Sequence, residues 1–197
     1  DGMKTKWREN DPIYLFHAVA GETTYVQNST FYVDNVESGH STGTLREELD
    51  PHKNYDWYAF YANSISGSPS ASPSGCGLDV GGDVKQSGYN DKTVLAGRRC
   101  PLYGVVKALP AGKSPEFEMS HLSSVVAINV TNATESALVV NTASLTAEEN
   151  IAGKFSIDVT GDSVIYNDYD ANARNTATVT VASGATVLLK GESAVVY

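Results

Sequence analysis

The sequence predicts an all-β chain folded as an antiparallel β-sandwich, and three observations carry that prediction. Runs rich in aromatic and β-branched residues recur between Gly, Asn, Asp and Pro. Several of these runs alternate apolar and polar residues with the two-residue period of a half-buried strand. No window of about eleven residues places apolar side chains at helical spacing.

The elements follow in chain order. A first strand covers 13–19, introduced by Asp11-Pro12, where proline's missing N–H costs the ladder least. A second covers 23–33 and a third 55–62, the latter carrying Tyr55, Trp57, Tyr58, Phe60 and Tyr61. Between them the only helix-like piece, 45–49, is stopped by Pro51. Residues 63–90 read as one long surface loop, because the Ser/Gly/Pro-rich core at 64–75 and the pair Gly81-Gly82 offer little to bury. The second half alternates cleanly: Val126, Ile128 and Val130 share one face, as do Phe155, Ile157 and Val159, and Ala177, Val179 and Val181. Ser183-Gly184 predicts a tight hairpin between 176–182 and 185–190. Many short strands with few helices place the fold among sandwiches of the general transthyretin or immunoglobulin kind.

The 197 residues suffice for one domain whose core needs no metal or dense disulfide framework. Lys and Arg total 14 against 23 Asp and Glu, a net charge of −9, and the pI is near 4.8. The largest basic cluster is the pair Arg98 and Arg99, so the charge balance argues against nucleic acid as a partner. Charged residues make up only 19 %, below the usual quarter, which reads as an exported β protein. The longest apolar stretch, 124–130, is strand-sized, and no membrane-spanning helix is expected. Residues 1–10 are polar and carry no apolar signal core, so any export signal is read as already removed. In an oxidising compartment Cys76 and Cys100 can pair and remove about 3 kcal/mol of loop-closure entropy from the unfolded chain; two thiols are the alternative.

Few motifs carry chemistry. Gly39-His40-Ser41-Thr42-Gly43 fits G-x-S-x-G, with His121 as a candidate base. The motif needs a strand-to-helix turn within a parallel sheet, and this chain offers antiparallel strands, so a Gly/Ser turn is the better reading and no catalytic residue is expected. Asp168-Tyr169-Asp170-Ala171-Asn172 copies half of a calcium loop, but Ala173 and Val179 stand where the required Gly and bidentate Glu belong. His17, His40, His52 and His121 show no zinc-ligand spacing, so neither metal nor cofactor is expected. Glu47-Glu48 and Glu148-Glu149 are adjacent pairs, which in strands point to opposite faces and so read as polar surface rather than as a glycosidase acid pair. Trp57, Tyr58 and Tyr61 are candidates for stacking on sugars where exposed, although a strand should bury half of the run from 55 to 61. Asn28-Ser29-Thr30, Asn129-Val130-Thr131 and Asn132-Ala133-Thr134 fit the N-glycosylation acceptor.

Together these residues resemble one family. Trp7-x-x-x-Asp11-x-Ile13-x-Leu15-Phe16 followed by Asp56-Trp57-Tyr58-Ala59-Phe60-Tyr61-Ala62 looks like the start of a fimbrillin-like protein, the family of fimbrial subunits and surface lipoproteins of Bacteroidales. Phe117-Glu118-Met119-Ser120-His121-Leu122-Ser123-Ser124-Val125 resembles its F-x-H-x-[LA]-[SA] segment, with the spacing around His121 offset by one. Ile151-Ala152-Gly153-Lys154-Phe155 and the closing Ala194-Val195-Val196-Tyr197 are similar to later strands of the same domain. The resemblance implies a seven-stranded, transthyretin-like amino-terminal sandwich over 1–197, with the family's second domain absent, so the chain is expected to be a fragment or a short member. It further implies export as a lipoprotein to the outer surface and trimming by an Arg- or Lys-specific protease, with Lys4, Lys6 and Arg8 in the right region. Assembly would follow by donor-strand exchange, in which an added strand satisfies unpaired backbone groups and fills apolar pockets. Under this reading His121 is a scaffold residue at the start of a strand. The expected function is a structural or adhesive subunit of cell-surface fimbriae, partnered by other subunits and by host or bacterial surface ligands. A carbohydrate-binding module or glycan-binding lipoprotein is the alternative.

Overall fold

The computed structural model describes residues 6–61, 72–92, 100–168, 174–182 and 187–197, and no α-helix occurs among them. The first half builds a six-stranded sheet. Its strands are β1 (Pro12–Val19), β2 (Val26–Asn35), β3 (His40–Thr42), β4 (Asn54–Tyr61), β7 (Leu102–Pro110) and β8 (Ser120–His121), in the order β3-β2-β1-β4-β7-β8. Every neighbouring pair in it is antiparallel.

Three smaller sheets complete the fold. The strands β5 (Cys76–Val80), β11 (Gly153–Asp158) and β12 (Ile165–Asp168) form one, in the order β12-β11-β5. Another has the order β10-β13-β6, from β6 (Asp83–Gln86), β10 (Thr142–Thr146) and β13 (Thr176–Val181). The last pairs β9 (Ile128–Thr131) with β14 (Ser193–Val196). The all-β, sandwich-forming character read from the sequence is present, with one departure: β6 runs parallel to β13. Such a pair needs a long crossover, which the chain between 87 and 175 supplies.

β1 and β4 lie at the centre of the large sheet, and the pleat divides their side chains between two cores. Phe16, Tyr58 and Phe60 face the β12-β11-β5 sheet and pack with Cys76, Leu78, Leu122, Phe155, Ile157 and Val159. This is the sandwich core, and Phe155, Ile157 and Val159 share the face that their alternation predicts. Ile13, Leu15, Tyr55, Trp57, Ala59 and Tyr61 point the other way and pack with Val33 and Leu102 beneath Trp7, Leu49, Phe117 and Met119. The expectation that β4 buries only half of its aromatics is therefore corrected. Loops and the amino-terminal arm roof its second face, and a period of two cannot say whether a second layer exists.

A third core joins β13 and β14 through Val179, Val181 and Val196, with Val84, Tyr89 and Val140 against it. Buried Gln86 ties these parts together: its amide donates to the Val195 carbonyl at 3.3 Å, and its oxygen accepts the Tyr197 amide at 3.0 Å. The described residues hold fourteen strands rather than seven, because the second half builds this core of its own.

Two loop readings are also corrected. Residues 63–71 lie outside the described residues, but β5 and β6 occupy much of what reads as loop to position 90. Cys76 and Leu78 alternate into the sandwich core, a signal too short to stand out beside the neighbouring Ser and Gly. The Ser183-Gly184 turn lies outside the described residues. Among the described residues beyond it none pairs with β13, which lies between β10 and β6, and Leu188 bridges instead to Leu138.

Candidate functional site

The residues singled out from the sequence do not converge on one place. Trp57, Tyr58 and Tyr61 are all buried, so they present no stacking platform for a sugar ring. Tyr58 packs in the sandwich core while its hydroxyl accepts from Lys107 Nζ at 2.6 Å. The same ammonium donates to the Thr160 carbonyl at 3.1 Å and lies 3.5 Å from Asp56 Oδ2. Burial holds the phenol above its ordinary pKa despite Lys107, so it keeps its proton, and the cluster braces the two layers of the sandwich.

Cys76 and Cys100 are buried thiols, not halves of a disulfide. Burial pushes the Cys76 thiol up to about 12, which removes it from thiolate chemistry near neutral pH. Lys6 is exposed ahead of the first turn, whereas Arg8 is inside it. The Arg8 amide donates to Asp11 Oδ2 at 2.8 Å and its carbonyl accepts the Asp11 amide at 3.1 Å. Both candidate trimming positions are exposed, and they differ in that the backbone of Arg8 is held in the turn.

The G-x-S-x-G match forms the β2–β3 hairpin, in which Gly39 adopts a φ of 70°. His40 Nδ1 meets Asp34 Oδ1 at 2.6 Å, and that contact holds the Asp34 carboxyl below its ordinary pKa. Among the described residues no side-chain hydrogen bond joins Ser41 to a histidine. His121 is exposed on the edge strand β8. Residues 169–172 of the calcium-like segment lie outside the described residues, and among the described ones no three His, Cys, Asp or Glu side chains converge.

Two acceptor asparagines serve the fold. Asn132 is buried and fully bonded, donating to the Ser136 and Leu188 carbonyls at 2.8 Å each and accepting from the amide and hydroxyl of Thr134. Asn28 is buried beneath residues 44–50. Asn129 on β9 is exposed.

The feature that sequence reading missed is a groove where the three small sheets meet. It encloses about 610 Å³ and is half open to solvent. Val80, Val84, Leu122, Val125, Ile151, Phe155 and Val179 line it, with Asp79, Asn150 and Thr178 among its few polar groups. The Tyr166 hydroxyl donates to the Leu122 carbonyl at 3.1 Å and closes one side. Val126 and Leu145 line the groove yet remain 48 % and 41 % exposed. The strand signal that begins at 124 is only half used: the ladder with β14 starts at Ile128, and residues 124–127 belong to no sheet. β10 and β12 contribute to the wall and are both edge strands. Volume and lining suit an apolar or extended occupant. Compared with protein-family models, curated proteins and solved structures, the chain matches none.

Proposed function

We propose that this chain is a structural or adhesive subunit of a cell-surface fimbria, exported to the outer surface and joined to other subunits by a donated β-strand. One observation carries the reading: an apolar groove of about 610 Å³ runs beside a strand-forming segment, 124–127, that belongs to no sheet. An extended occupant suits both features. Its main chain would supply hydrogen bonds to the unpaired segment or to the outer edge of β10, and alternate apolar side chains would cover Val126 and Leu145. The resemblance of the chain to fimbrillin-like proteins supports the same reading. The sugar-binding alternative loses its platform, because the aromatics it needs are inside the molecule.

The test places charge in the groove at two positions that are already part-exposed. V126K/L145K should leave the far-ultraviolet spectrum and the melting temperature of the monomer unchanged and abolish the ordered polymers seen by electron microscopy. Polymers of undiminished length from this variant would remove the groove from assembly. A wild-type chain that stays monomeric at high concentration, both before and after trimming at Lys6, would remove the assembly function itself.

A further inference from the structure

The second face of the large sheet carries a buried polar cluster. β1 and β2 lose register between Tyr14 and Phe16, where Asn28 and Ser29 together oppose Leu15. A bulge of this kind re-aims side chains. Ser29 takes hold of Thr44: its hydroxyl donates to the Thr44 carbonyl at 2.7 Å and accepts the Thr44 amide at 2.8 Å. Asn28 turns inward, and its Oδ1 accepts the Arg46 amide at 3.1 Å. At the far end the Asp50 amide donates to the Tyr55 hydroxyl at 2.8 Å, and Leu49 packs on the core beneath. Residues 44–50 are thus a strap with anchors at both ends and one in the middle.

His17 lies under that middle anchor. It is 1 % exposed, held between the rings of Trp57 at 5.0 Å and Tyr55 at 5.6 Å. Its Nδ1 is 3.0 Å from Asn28 Nδ2. Because Asn28 Oδ1 is committed to Arg46, the Asn28 amide nitrogen must be the donor, and Nδ1 must carry a lone pair. The proton of the neutral ring is then on Nε2, which is buried with no hydrogen-bond partner and lies 3.5 Å from Glu47 Oε1 on the strap.

We infer that His17 is a pH-sensitive latch: neutral, it holds the middle of the strap against the sheet, and charged, it releases the Arg46 anchor. A proton added at Nδ1 meets the Asn28 amide donor head-on. The contact is restored only if Asn28 turns its oxygen to His17, which withdraws that oxygen from the Arg46 amide. Glu47 on the strap and Tyr55 on β4 are the titratable groups facing the ring, while β2 contributes the neutral Asn28. Burial, the largest influence on the ring, lowers its pKa from 6.5, and Glu47 opposes that shift. The unfolded chain therefore takes up this proton first as pH falls below 6.5, and the latched state loses stability from there down to the folded-state value. The strap already borders an open hollow of about 650 Å³ beside Ala111 and Gly112, so lifting its middle enlarges access to the apolar face that Leu49 covers.

Amide hydrogen exchange read by nuclear magnetic resonance tests the latch between about pH 7.5 and about pH 5, corrected for intrinsic exchange rates. Each pH unit separating the folded and unfolded pKa of His17 should cost the Arg46 amide about tenfold in protection, and amides of the β1–β4 ladder should lose no more than that. His17→Gln should make Arg46 protection independent of pH. Glu47→Gln, an exposed change that spares the fold, should move the release to lower pH by removing the charge that favours the protonated ring. The latch is refuted by Arg46 protection that does not change over this range, by the same loss in His17→Gln, or by an unmoved release in Glu47→Gln. The last result decides the matter even where His17→Gln does not fold.

Discussion

Replacing Trp57 by alanine measures how far the second face of β4 is roofed. Trp57 is 3 % exposed and packs among Ile13, Leu15, Tyr55 and the ring of His17. A buried tryptophan removes about 200 Å² from water, which at about 25 cal/mol per Å² is worth about 5 kcal/mol. Tryptophan-to-alanine changes in cores cost about 3–5 kcal/mol, since the cavity relaxes only in part. The loss approaches the whole stability of a marginal domain. With a urea m-value of about 2 kcal/mol per M, the midpoint should fall by about 2 M at unchanged slope. Trp57→Phe should keep most of the packing and lose less than half as much. A fall below about 0.5 M for Trp57→Ala would mean that water reaches this face. The roof of Leu49, Phe117 and Met119 would then be wrong, and the strap that covers His17 with it.

Two further outcomes follow from the local geometry. Asn132→Ala removes four hydrogen bonds, at an expected cost of about 2–4 kcal/mol and several degrees in a thermal melt; a change of under about 1 kcal/mol contradicts its role as the anchor of that loop. Limited proteolysis should cut after Lys6 well before Arg8, and Asp11→Ala, which frees the Arg8 turn, should narrow the difference measured by intact mass. Equal rates at both positions in the wild-type chain would show that the turn gives no protection.

The candidate site was less legible than the fold. Alternation at 155–159 and 177–181 announces which side chains turn inward, but the groove depends on which sheets those strands join. The sequence from 124 to 130 reads as strand-sized, and the fold pairs it only from Ile128 onward, leaving Val126 on the groove wall. Asn28 and Asn132 fit a modification signal, and both are buried hydrogen-bonding hubs. A tripeptide pattern carries no information on burial.

From its residues alone this chain is all-β, acidic and built around aromatic first-half strands, because strand propensity, alternation and turn residues act within a few positions of one another. Tertiary structure decided the rest. It covered both faces of β4 and drew β5 and β6 out of a Ser- and Gly-rich stretch. It set β6 parallel to β13 and placed Glu47 over His17, 30 positions away in the chain. Each of these is a contact between segments far apart in the chain, where a side chain's environment is set by what the backbone brings to it rather than by its neighbours in sequence.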